Sequence, residues 1–153
     1  MGAGVNPWGA VLALHLLCAA LWVGGMAFAL MVVRPSLGAL DPAQRTAVTS
    51  QVFRRFFLIV WHAMPLLLLS GYAMLFGYYD GFAGVNWSVH TMHALGLIMA
   101  VIFLYVFFGP WPKFRAAVSP QRAAGNADRI RKLILVNLVL GLVTIAVAGL
   151  GAL

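Results

Sequence analysis

Residues 11–25 read Val-Leu-Ala-Leu-His-Leu-Leu-Cys-Ala-Ala-Leu-Trp-Val-Gly-Gly, an unbroken apolar run with one histidine, His15, in its middle. Such a run crosses a bilayer as a helix, because in hydrocarbon each backbone N–H and C=O must be paired within its own segment. An imidazole there needs a partner for its ring nitrogens, since lipid offers neither a hydrogen bond nor a metal. His15 is therefore expected to face the protein interior. The best partners for it lie far along the chain, in Ser88-Val89-His90-Thr91-Met92-His93.

The rest of the chain shares this apolar character. With 63% hydrophobic and 8% charged residues and a mean hydropathy of +0.97, 153 residues cannot build an apolar core inside a polar coat. An all-α membrane protein is expected, a single transmembrane domain over 1–153 that forms a four-transmembrane-helix bundle. The spans are placed at about 8–33, 56–78, 88–109 and 133–150, each near the roughly 20 residues that hydrocarbon requires.

The net charge of +7 comes from ten Lys and Arg, all between Arg34 and Arg55 or between Lys113 and Lys132. By the positive-inside rule, loops 34–55 and 110–132 are cytoplasmic and both termini periplasmic, in a bacterial inner (cytoplasmic) membrane. The bundle is thus N-out/C-out. The basic residues report topology and attraction to anionic membrane lipids, not nucleic-acid binding. The first run lacks a positive n-region and reads as a retained span, not a signal peptide. Cys18, the single cysteine, allows no intrachain disulfide.

On the first helix, His15, Cys18, Trp22 and Gly25 recur at three- and four-residue steps and share one inward face. Ala20 and Gly24 make a small-xxx-small pair, the usual mark of close helix packing. Arg34-Pro35 ends this span, and Asp41-Pro42 starts a short interfacial helix in the first basic loop. His62 lies deeper than His15, with Pro65 behind it to bend the second helix. A hydrogen bond from His62 to Asn137, or to a carbonyl freed by Pro65, is expected. Tyr78, Tyr79 and Trp87 read as an interfacial belt. Ser88 is the expected N-cap of the third helix, with His90 and His93 one turn apart beyond it. Gly96 follows His93 by one turn, where a missing side chain lets a flat ligand approach the backbone. The fourth helix is expected to start near Asp128, and Asn137 and Thr144 are its notable polar groups.

The histidine-bearing first and third helices run in the same direction, as in two helical hairpins related by an axis along the membrane normal. At about 1.5 Å per residue, His15 lies about 10 Å below Trp8, and His93 about 7 to 8 Å below Ser88. Two histidines in one layer can hold a haem iron from both sides. The leading reading is therefore b-type haem between His15 and His93, with His90 as an alternative ligand and Gly96 and Trp22 beside the cofactor. Such a protein serves electron transfer, as a haem-dependent oxidoreductase or with a redox partner or quinone. Against haem, the exterior side offers no Lys or Arg for propionates.

Copper is the rival, with His15, Cys18, His90, Met92 and His93 as acceptable ligand types. A third reading is a structural subunit, in a homo-oligomer or a larger membrane complex, whose histidines only join helices. Three aspartates and no glutamate leave little for acid–base catalysis, and no Ser-His-Asp set or phosphate loop is present.

Leu14-His15-Leu16-Leu17 followed by Leu21-Trp22-Val23-Gly24-Gly25, then Arg34-Pro35, Phe53-Arg54-Arg55-Phe56 and the histidine-headed third helix, resembles the CopD-like membrane family, named for copper-resistance proteins. The resemblance covers almost the whole chain and implies copper handling in the inner membrane. The arrangement is also similar to small b-type haem membrane proteins, the HemJ-like protoporphyrinogen oxidases and, more distantly, cytochrome b561-type proteins. In the HemJ-like pattern a third-helix His-x-Lys corresponds to His90-Thr91-Met92, and here Met92 replaces the lysine.

Overall fold

The computed structural model describes Gly4 and residues 6–152, and every regular element among them is helical. Helix α1 (Pro7–Phe28) begins where Asn6 Oδ1 accepts from the Trp8 amide at 3.0 Å, with Pro7 in the first turn, where no N–H is missed. The helix does not stop at Arg34-Pro35, as expected. It widens into a π turn over Ala29–Val33, in which the Arg34 amide donates to the Ala29 carbonyl, and then runs through Arg34–Ser36 into a 3-10 turn at Leu37–Ala39. The wide turn makes room for the Pro35 ring, which would collide with a carbonyl in a regular α-helix.

Helix α2 (Pro42–Gly77) is capped by Asp41, whose Oδ1 accepts from the Gln44 amide at 2.9 Å. The expected short interfacial helix and the second span are one continuous helix of 36 residues, with Pro65 inside it. At about 54 Å it exceeds a hydrocarbon core of about 30 Å, so its basic first turns stand beyond the core. Helix α3 (Trp87–Phe108) is capped by Asn86 rather than Ser88. Asn86 Oδ1 accepts from the Val89 amide at 3.3 Å and from Ser88 Oγ at 2.6 Å. A short helix α4 (Pro110–Arg115) precedes α5 (Pro120–Leu150), which starts at Pro120 behind the Ser119 cap, well before Asp128. Ala, Gln and Arg dominate the basic stretches, and their helix propensity carries α2 and α5 through segments whose polarity reads as loop.

Among the described residues, four helical segments are long and apolar enough to cross a membrane. α1 packs chiefly along α2, and α3 along α5, with α4 folded against α5. The two hairpins meet in an aromatic core: Phe57 stands edge-on to Trp111 at 5.3 Å, Trp61 edge-on to Phe107 at 5.2 Å, and Trp22 edge-on to Phe103 at 6.4 Å. Arg34 and Arg131 line one cavity, so both basic stretches share one end of the bundle. At the opposite end Asn86 Nδ2 donates to the Gly151 carbonyl at 2.9 Å.

Close helix approach does not use the Ala20–Gly24 pair. Ala20 is exposed, and a Cβ added at Gly24 would meet nothing within 4 Å. The neighbouring Gly25 takes that role, since a Cβ there would stand 2.8 Å from the Phe56 ring. Gly141 likewise lets α5 reach α1, its absent Cβ position lying 2.7 Å from Val23 Cγ2.

Candidate functional site

His15 is half-buried and turned toward α2. Its Nδ1 lies 2.9 Å from the Leu67 carbonyl and 3.0 Å from Ser70 Oγ, and Ser70 Oγ itself donates to the Leu67 carbonyl at 3.0 Å. A carbonyl only accepts, so Nδ1 carries the proton and Nε2 keeps its lone pair. Gly71 makes this approach possible, because a Cβ there would sit 3.2 Å from His15 Cε1. The partner of His15 is thus the 67–71 turn of α2, not the 88–93 segment. The signal for it was in the sequence: Ser70 lies about 22 Å from Arg55 along the helix, which puts it in the outer layer with His15.

His90 and His93 stand one turn apart near the start of α3, at the end without basic residues. Phe82, from the short connecting loop, joins them: the His90 ring stacks on it at 5.8 Å, and the His93 ring meets it edge-on at 5.2 Å. Tyr72 of α2 closes the other side of His93 at 5.3 Å. Phe82 and Tyr72 do not stand out among the many aromatic residues of the chain and so could not have been marked beforehand. Of the four histidines, only His15 and His62 have ring nitrogens hydrogen-bonded among the described residues.

Among the described residues no hydrogen bond or ring contact joins His15 to His93. Each ring is engaged by α2, one at Leu67–Gly71 and the other at Tyr72. A flat macrocycle between them would have to displace the groups that now hold them. Two internal cavities, of about 10 and 20 Å³, have no histidine in their walls. The first is lined by Trp22 and Asn137, among others. The arrangement of these residues lends no support to a haem clamped by His15 and His93. Trp22 belongs to the aromatic core and borders the smaller cavity, and a Cβ at Gly96 would meet nothing within 4 Å.

Cys18 is buried on the same face of α1 as His15, and Met92, which lies between the two outer histidines in sequence, is half-buried. Among the described residues no three His, Cys, Asp or Glu side chains cluster as a metal centre. The expected bond from His62 to Asn137 is not formed. His62 is exposed and its Nδ1 lies 2.8 Å from the Leu58 carbonyl, one turn back on its own helix. Asn137 is buried and donates through Nδ2 to the Met99 carbonyl at 3.1 Å, so it joins α5 to α3.

Residues 50–150 match the family model described as CopD, copper resistance protein D. The chain is also similar to an uncharacterized protein of Aquifex aeolicus (strain VF5), 30% identical over 131 residues, covering 82% of this chain and 87% of that protein. No solved structure matches.

Proposed function

The chain belongs to the copper resistance protein D family, and from that premise we propose that it handles copper in a bacterial inner membrane, with copper ions as its cargo. The observation that carries this reading is the His90/His93 pair on Phe82 at the end of the bundle that lacks basic residues. Imidazole is a donor that copper accepts, and the two rings stand one turn apart on the same helix. No Lys or Arg lies between residues 56 and 112, and Asp80 is the only formally charged side chain in that stretch, so an arriving cation meets no repulsion there. His15 is the next donor inward. Its Nδ1–H is fixed by a backbone carbonyl, which orients the ring and leaves the Nε2 lone pair free, the usual support of a metal-binding histidine. Cys18 follows it by one turn. Under the positive-inside rule the histidine end faces the periplasm.

Purified full-length protein should retain copper against a competing chelator, and the double variant His90→Ala/His93→Ala should weaken that retention by at least about tenfold. His62→Ala should leave it unchanged. Retention unaffected by the double variant would refute the entry site. A Soret band that disappears in His15→Ala would restore haem b as the ligand. Topology is checked separately: alkaline phosphatase fused after residue 152 should be active, and fused at residue 117 inactive. The reverse pattern would place His90 and His93 on the cytoplasmic side.

A further inference from the structure

At the basic end, α1's continuation, the early turns of α2 and the middle of α5 enclose the cavity of about 20 Å³. Arg34, Thr49 and Arg131 supply its polar wall, and Leu37 and Phe53 are among the apolar side chains that complete it. Thr49 is 4% exposed, and its Oγ1 has no hydrogen-bond partner among the described residues. A buried hydroxyl left unpaired loses its hydrogen bonds to water without replacement, so something is expected to meet it.

The charges around this cavity are unbalanced. Burial lowers the pKa of the Arg131 guanidinium, and the nearby positive charge of Arg34 lowers it further. Arg45 adds a third positive charge within range, its side chain held by the Leu37 and Leu40 carbonyls at 3.1 Å each. Asp128 is the acidic group that Arg34 and Arg131 feel, but it bonds Lys132 at 3.0 Å, the only ion pair among the described residues. Three guanidinium groups thus converge where one carboxylate is already engaged.

We propose that this junction is a binding site for a phosphate group, with Arg34 and Arg131 gripping its oxygens at the cavity mouth and Thr49 donating its hydroxyl to the oxygen that enters. The cavity has room for one oxygen-sized group, since about 10 to 15 Å³ suffices for a water. Guanidinium matches phosphate in geometry as well as charge. The phosphate comes either from the headgroup of an anionic lipid in the adjoining leaflet or from free phosphate. The reading is independent of copper, because it involves none of the histidines.

The test uses the full chain in detergent, titrated with phosphatidylglycerol in one arm and inorganic phosphate in the other, and read by melting temperature and by native mass spectrometry. Stabilisation by phosphatidylglycerol alone assigns a lipid headgroup, and stabilisation by both assigns free phosphate chemistry. In either case Arg131→Gln and Arg34→Gln should each weaken apparent affinity by about tenfold, in line with the loss of a charge-assisted hydrogen bond. Thr49→Val keeps the shape of the side chain and should weaken binding without lowering the melting temperature of the unliganded protein. Arg122→Gln, an exposed charge on the same end, should change nothing. The proposal is overturned if neither ligand binds. It is also overturned if Arg122→Gln weakens binding as much as Arg131→Gln, or if Thr49→Val binds like the unaltered chain.

Discussion

Phe57→Ala is expected to destabilise the bundle by about 3 kcal/mol, within the range for emptying a buried aromatic site. Phe57 is 1% exposed, and five aromatic rings surround it: Phe53 at 5.8 Å, Phe56 at 6.0 Å, Phe103 at 5.9 Å, Phe107 at 6.1 Å and Trp111 at 5.3 Å. These rings come from α2, α3 and α4, so Phe57 joins the two hairpins. Lipid tails are as apolar as a phenyl ring, and the loss is therefore one of contact rather than of shelter from water. Phe57 also borders the cavity of about 10 Å³, so truncation enlarges an existing void. Phe108→Ala provides the contrast, since Phe108 is 68% exposed and its removal should cost less than about 0.5 kcal/mol. Unfolding of each variant in mixed micelles, followed by tryptophan fluorescence, measures the difference. Equal losses for the two would mean that the aromatic core does not hold the hairpins together.

Gly141→Leu is expected to prevent stable folding altogether. A Cβ at Gly141 would lie 2.7 Å from Val23 Cγ2 and 3.2 Å from Met99 Cε. Val23 is β-branched and cannot swing aside cheaply, so α1 and α5 must separate. Even Gly141→Ala should cost about 1 to 3 kcal/mol by overpacking. Combining it with Val23→Ala removes the obstructing methyls and should recover part of that loss, a non-additivity that a double-mutant cycle reads directly. Gly24→Leu, by comparison, should be close to neutral, because open space lies beside Gly24. Should Gly24→Leu disrupt the protein while Gly141→Leu folds normally, the packing of α1 against α5 described above is wrong.

Gly24 and Gly25 show where a sequence stops being informative. They are adjacent and both lie in the first span, yet one faces open space and the other admits the Phe56 ring. Helical spacing correctly put Cys18 and Trp22 on the buried face, because periodicity is a property of one helix alone. The small-residue pair failed because the rotation of a span about its axis is set by its neighbours. His62 failed in the same way: a histidine in a span can bond a carbonyl one turn back, and nothing local tells that solution from a bond across the bundle.

The chain's apolar runs and the grouping of its basic residues determined, without coordinates, four helical spans and two basic stretches at one end; the family resemblance rested on short motifs such as Leu21-Trp22-Val23-Gly24-Gly25. Those properties are sums over contiguous residues, and hydrocarbon enforces them segment by segment. Only the tertiary structure decided that His15 is held by the Leu67 carbonyl and Ser70, that Phe82 gathers His90 and His93, and that Arg34, Thr49 and Arg131 share a cavity. Each of these depends on which side chains permit two helices to approach and at what angle, a choice made between segments far apart in the chain.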